Sequence, residues 1–188
     1  MNEPLGNTLA DAATWLAAEN IAYALIGGLA VSLRGQPRVT ADVDMVIAVD
    51  VERALLLVAA LEHSNFRPLF ADVTDVVQQS FILPLRHRRT NVKVDLAIGL
   101  SGFEQQAIAR AERLSVAGTM VSVATAEDLL IMKAMAGRPQ DDVDLRGLVV
   151  AQGAYLDWDY CLKIAAELGE AIGQPLAERV RDLRSQGC

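Results

Sequence analysis

The stretch LIGGLAVSLRGQPRVTADVDMVI, Leu25 to Ile47, decides how this chain is read. An apolar run stops at Gly27-Gly28, a loop carrying Arg34, Gly35 and Arg38 follows, and Asp42 and Asp44 then alternate with Val43 and Met45. In a strand, side chains two apart share a face. The spacing therefore predicts that Asp42 and Asp44 project together while Val43, Met45 and Ile47 enter a core. Two like charges side by side are costly unless a cation lies between them or one carboxyl is protonated. Hard divalent cations such as Mg²⁺ take few protein oxygens and complete their shell with substrate phosphates.

A third carboxylate strengthens that reading. Asp95 sits in VKVDLAIG, another alternating apolar strand, at a position where Val or Leu would serve packing better. Alone, a D-x-D triplet also describes a solvated strand end, and Gly-Gly a tight turn. Together they point further: glycines at a strand-to-helix junction allow close backbone approach to a ligand, and unpaired N–H groups at a helix start attract phosphate. The three carboxylates are expected to converge beside the diglycine turn.

Working outward, Asn7 or Thr8 is a candidate cap for a first helix reaching Asn20, and IAYALIGG reads as a short buried strand. A short helix over 28–34, a strand over 42–49 and a helix over 51–62 follow from the periodicity. SFILPLRH and NVKVDLAIG read as paired strands joined by a basic turn, with Pro84 marking the first as an edge strand or as broken at that point. A helix over 102–113 precedes LSVAGTMVSVAT, a hairpin around Gly118. After Ala124 the pattern is helical throughout, beginning at Thr125, a good N-cap with Asp128 three residues on. The expected fold is α+β: a mixed-sheet core over 1–124 flanked by helices, and a C-terminal helical subdomain over 125–188 packed against the active-site cleft.

Composition narrows the function classes. The 188 residues are 52% hydrophobic, with a formal net charge of −7. No run approaches the roughly 20 apolar residues of a membrane span, and the N-terminus lacks signal-peptide character, so a cytoplasmic protein without membrane partners is expected. Cys161 and Cys188 build neither a disulfide framework nor a metal cluster. The net charge repels a polyanion unless a local basic patch exists; LRHRRTNVK, with Arg86, His87, Arg88, Arg89 and Lys93, is the candidate, and a solvated strand end is the alternative. His63 and His87 have no serine or cysteine nucleophile motif beside them. Trp158, Tyr160 and Tyr23 read as core anchors.

The constellation IGGLAVSLRG, RVTADVDMVI and VKVDLAIG resembles the nucleotidyltransferase superfamily built on the DNA polymerase β-like core. With AEDLLIMKAMAGRPQDDVDLRGLV it looks most like the minimal AbiEii-type toxin enzymes and small bacterial relatives. The resemblance implies transfer of a nucleoside monophosphate from an NTP, ATP among the candidates, with Mg²⁺ or Mn²⁺ held by Asp42, Asp44 and Asp95. It further implies that Asp95 serves the acceptor-activating metal, and that Gly27 and Gly28 cradle phosphates with Ser32 and Thr40 nearby. Lys133, odd in an apolar helix, either snorkels to solvent or, as the resemblance implies, meets the triphosphate; Asp144 is a candidate partner of Lys133 or Arg138 that would hold the lysine toward the phosphates. Arg138, Asp141 and Asp142 read as surface or capping residues; Arg34 or Arg38 is a candidate phosphate contact or a solvated loop residue. The acceptor is open between a tRNA or protein in a toxin-like reaction, with an antitoxin as potential partner, and a small molecule of the aminoglycoside or lincosamide kind. For a cationic antibiotic, Asp157, Asp159, Glu167 and Glu170 are candidate contacts, with a solvated face as the alternative. A non-catalytic binding or antitoxin-like module on the same fold is the third reading.

Overall fold

A computed structural model describes residues 1–186, so Cys188 lies outside the described residues. By backbone contacts the described chain divides into two compact units, residues 1–29 with 39–124, and residues 30–38 with the helices from 125 onward. The segment 30–38 thus groups with the C-terminal helices rather than with the sheet.

The first unit holds one seven-stranded mixed sheet. Its strands are β1 (Tyr23–Ile26), β2 (Asp42–Ile47), β3 (Phe66–Pro68), β4 (Ile82–His87), β5 (Lys93–Ile98), β6 (Glu112–Val116) and β7 (Thr119–Val123), in spatial order β3-β4-β5-β2-β1-β7-β6. β2 runs antiparallel to β1 and parallel to β5. Along β2 and β5 burial alternates as the sequence does. Val43, Met45, Ile47, Val94, Leu96 and Ile98 are at most 2% exposed, while Asp42, Asp44, Lys93 and Asp95 are half-buried on the other face. Helices α1 (Glu3–Ala18) and α5 (Gly102–Arg110) pack on the centre of this sheet. Burying the apolar side chains of α1 (Leu5, Leu9, Leu16) contributes about 1.5–3 kcal/mol for each large residue.

Three expectations need correction here. Helix α1 begins at Glu3 because the Asn2 side chain accepts from the Leu5 N–H and Pro4 fits the first turn; Thr8 is buried within it rather than capping it. Helix α5 stops at Arg110 because residues 112–116 become β6. Strand β4 is interior, paired to β3 and β5. Pro84 is tolerated because its polar groups face the β3 side just where β3 ends, at Pro68. Its carbonyl accepts from Leu69 N–H there, so no ladder bond to β5 needs the missing donor. The strand β3 and the helix α4 (Val73–Ser80) were not expected at all.

The second unit is a helical bundle of α6 (Ala126–Ala136), α7 (Pro139–Gln152), α8 (Trp158–Ile172) and α9 (Leu176–Gln186), with the later part of α2 (Gly27–Arg34). Thr125 caps α6 as expected, accepting from the Asp128 N–H. Helix α6 is buried along Leu129, Leu130, Ile131 and Ala134, which touch α7, α8 and α9. Gly35 lies against the α7 backbone: a Cβ there would stand 3.1 Å from Leu148 N, so a larger residue would push the loop off the helix. Trp158 and Tyr160 are half-buried rather than core. The Trp158 indole donates to the Gly153 carbonyl, and the Tyr160 hydroxyl donates to buried Asp128 at 2.6 Å.

Candidate active site

Strand register decides which carboxylates meet. β2 and β5 are parallel with Asp42 opposite Lys93 and Asp44 opposite Asp95, so all four side chains leave the same face. Ile26, the last residue of β1, stands opposite Asp44. The chain therefore turns at Gly27 directly over that carboxylate. Gly27 has φ +66°, and a Cβ there would lie 2.7 Å from the Asp44 Cβ and overlap its carboxylate. Glycine is required twice over, by conformation and by contact. The turn continues at once into α2, so its first N–H groups lie at the end of the strand opposite Asp44.

The carboxylates differ in their partners. Thr40 Oγ1 donates to Asp42 Oδ1 at 3.1 Å. The Lys93 ammonium donates to Asp95 Oδ2 at 2.5 Å, while Asp95 Oδ1 is buried with no hydrogen-bond partner. A buried carboxylate oxygen without a donor is costly unless something positive reaches it. In this conformation no three His, Cys, Asp or Glu side chains among the described residues form a ready set of metal ligands. The donor chemistry nevertheless suits a hard cation: carboxylate oxygens from two adjacent strands, one of them unsatisfied, beside a turn whose backbone leaves no room for a side chain.

The other expected residues lie in the helical unit. Ser32 closes the 32–38 loop, donating to the Arg38 carbonyl at 3.2 Å and accepting from Arg38 N–H at 3.3 Å. Lys133 is only 6% exposed. It does not snorkel; its ammonium sits 2.8 Å from both Asp141 and Asp144. Arg38 pairs with Asp144 at 2.7 Å, and Arg138 with Asp141 at 2.7 Å. The result is a chain of alternating charge, Arg38–Asp144–Lys133–Asp141–Arg138, which explains how a lysine survives in an apolar helix. Arg138 is a capping residue as expected, and exposed Asp142 pairs with Arg179. Asp141 caps α7 as expected but is not at the surface: it is fully buried, where it supplies Lys133 with a second carboxylate. Burial alone would raise the Asp141 carboxyl, yet the hydrogen bonds from Arg138 and Lys133 hold it well below the usual range. Burial likewise raises the half-buried Tyr23 phenol, against opposing help from Ser122 and Arg113.

Two features escaped the sequence reading. His87 is buried, with Nε2 at 2.8 Å from Asp11 and Nδ1 accepting from the Thr90 N–H at 3.0 Å, while Thr90 Oγ1 meets Thr8 at 2.6 Å. This network fixes the β4–β5 turn to α1. Arg67 on β3 stands directly opposite Arg86 on β4, which no periodicity within either segment reveals.

A profile for a family described as nucleotidyltransferase of unknown function (DUF6036) matches residues 8–185. The chain belongs to this family. Transfer of a nucleotidyl group is accordingly its reaction class, and the mixed α+β architecture is that of a nucleotidyltransferase. Among solved structures, an antigenic nucleotidyltransferase-like protein from Paracoccidioides brasiliensis is similar at 25% identity and TM-score 0.55, over 79% of this chain and 75% of that one. ANT(2'')-Ia in complex with adenylyl-2''-tobramycin shares the fold at 15% identity and TM-score 0.54, over 97% and 95% of the two chains. The lincomycin-bound lincosamide adenylyltransferase LnuA does so at 16% identity and TM-score 0.50, over 72% and 90%. A comparison with curated protein sequences found no match. The closeness to AbiEii-type enzymes expected from the motifs has no counterpart among these matches, and no helix among the described residues is long and apolar enough to cross a membrane.

Proposed function

We propose that this nucleotidyltransferase is divalent-metal dependent and moves a nucleoside monophosphate from an NTP to an acceptor hydroxyl. The observation that carries the reading is the shared face of Asp42, Asp44 and Asp95 under the Gly27 turn, with Asp95 Oδ1 buried and unpaired. Asp42, Asp44 and Asp95 would hold Mg²⁺ or Mn²⁺, which when bound supplies charge neutralisation at the phosphates and acidifies the attacking hydroxyl. The residues of the chain do the rest. Thr40 orients Asp42, the Gly27-Gly28 turn offers backbone N–H groups to phosphate, and Asp95 takes the proton of the acceptor hydroxyl. The acceptor oxygen then bonds to the α-phosphorus, the bond from that phosphorus to the bridging oxygen breaks, and pyrophosphate leaves with its electron pair. Positioning and electrostatics supply most of the rate in such transfers.

In the helical unit Lys133 and Asp144, expected at the nucleotide, are bound to one another. A direct phosphate contact by Lys133 would require it to exchange a carboxylate for a phosphate oxygen. The acceptor choice, tRNA or protein in a toxin-like reaction with an antitoxin partner against a small molecule as in ANT(2'')-Ia and LnuA, is read by one experiment. The protein is incubated with each α-labelled NTP and Mg²⁺ against total RNA, cell protein and an aminoglycoside and lincosamide panel, and the labelled fraction is identified. Mg²⁺ with an NTP should raise the melting temperature of the wild type, and Asp42→Asn or Asp44→Asn should abolish the shift. An intact protein that neither shifts nor transfers label would leave the non-catalytic reading standing.

A further inference from the structure

The basic segment singled out in the sequence, Leu85 to Lys93, sorts into separate roles. His87 is buried, and Arg88 turns back to the carbonyls of Ser64 and Leu61. Arg86 and Lys93 do something else. Register places Arg67 of β3 opposite Arg86 of β4, and Arg86 opposite Lys93 of β5. Lys93 in turn stands opposite Asp42. Three cations therefore lie abreast across three strands, on the face that carries Asp42, Asp44 and Asp95, and the row ends beside those carboxylates.

Like charges directly opposite one another on neighbouring strands destabilise a sheet. Here three stand in line within a chain of net charge −7. Arg67 is exposed, while Arg86 and Lys93 are half-buried, Arg86 donating to the Asn91 carbonyl and Lys93 to Asp95. A guanidinium has five N–H donors, so that single bond leaves most of the Arg86 fork for an anion. At about 4.8 Å per strand the row spans about 10 Å, a length that suits successive phosphates on a chain better than one phosphate group. A cationic acceptor such as an aminoglycoside would be repelled along this edge. The acidic residues considered for such a ligand, the α8 N-cap Asp157 and Asp159, Glu167 and Glu170 of α8, are all exposed and belong to the helical unit, not to this sheet face.

We propose that Arg67, Arg86 and Lys93 form a track for the phosphate backbone of a single-stranded nucleic-acid acceptor, whose 3′ end is directed at Asp95. This rests on the nucleotidyl-transfer reading for its chemistry, but the track itself is testable without turnover. The probe is a fluorescein-labelled single-stranded oligoribonucleotide with a free 3′-hydroxyl, followed by anisotropy from 50 to 200 mM NaCl. Three phosphate contacts on a single strand give a log–log salt slope of about −2, so affinity should fall about 15-fold over that range. The double variant Arg67→Glu with Arg86→Glu should bind at least tenfold more weakly and show a flatter slope. Arg181→Glu, an exposed charge reversal on α9, should bind like the wild type, and circular dichroism checks that each variant folds. Equal binding by the double variant, an equal loss in Arg181→Glu, or no salt-dependent binding by the wild type would each overturn the track. The melting shift of the wild type with Mg²⁺ and NTP is read separately. Its absence alongside intact oligonucleotide binding would sink the metal-and-nucleotide reading and leave the track as a nucleic-acid site.

Discussion

Replacing Gly27 with alanine tests the contact on which the site geometry depends. Two costs add. Alanine at φ +66° costs about 1 kcal/mol for the left-handed backbone. The new methyl also meets the Asp44 Cβ at 2.7 Å and overlaps its carboxylate, so the strand end or the side chain must move, which in a packed setting costs about 1–3 kcal/mol. The sum, about 2–4 kcal/mol, is well below the stability of an ordinary domain, so the protein should fold with a melting temperature about 4–16 °C lower. Gly118→Ala supplies the control: its φ is +82°, yet nothing lies within 4 Å of its Cβ, so it carries the backbone cost alone and should lose about 2–4 °C. Function should separate the two further. A displacement of Asp44 by about 1 Å costs on the order of 100-fold in transfer rate, whereas Gly118→Ala should retain the wild-type rate. Melting curves and label transfer from an α-labelled NTP measure both. If Gly27→Ala melts with Gly118→Ala and transfers label at the wild-type rate, Asp44 is not held beneath the turn, and the site geometry argued above is wrong.

Lys133→Met leaves Asp141 and Asp144 buried with only one cation each, and should destabilise by about 3–5 kcal/mol in urea titration. Asp142→Asn, at an exposed pair with Arg179, should change stability by less than about 1 kcal/mol. For Asp141 the folded-state carboxyl lies below its ordinary value of 3.8, so its stabilisation is fully present above about pH 4 and fades as pH falls further. Melting temperatures from pH 7 to pH 2.5 should therefore drop more steeply in the wild type than in Asp141→Asn, which starts lower and flatter. His87→Ala removes the ring packed at 5.3 Å from Phe66 and takes its hydrogen bonds from Asp11, which keeps Asn65, and from Thr90, which keeps Thr8. The expected loss is about 2–4 kcal/mol, and Asp11→Ala should reproduce part of it in the same melts.

How much of this was legible in the chain depends on the range of the forces involved. The alternation DVDMVI fixes that Asp42 and Asp44 share a face, because a two-residue period is a property of one strand. The break at Gly27 and the N-cap at Thr125 are equally local, and both were readable. Which strands adjoin is not local. Asp95 meets Asp44 only because β5 lies parallel beside β2, and the order of strands is decided by crossovers and by burial of whole faces, which no window of sequence contains. The same gap hid Arg67: β3 is three residues long, too short for a period, and its partner Arg86 lies across an intervening helix in sequence. Lys133 marks the opposite limit. Its misfit in an apolar helix is visible in the sequence, which also offers Asp144 as a candidate partner, but the need for a second buried carboxylate at Asp141 follows from the absence of solvent around the ammonium. Burial, not pattern, turned a capping aspartate into half of an ion-pair chain. The same logic links the two ends of the sheet face. Lys93 is the member of the cationic row that adjoins the acidic group, bound to Asp95 while Asp95 Oδ1 stays unpaired. Each group, an array of one sign of charge, is stable only in company of the other sign, and that shared requirement is what makes this face, rather than the apolar one behind it, the place where a phosphate-bearing ligand is expected.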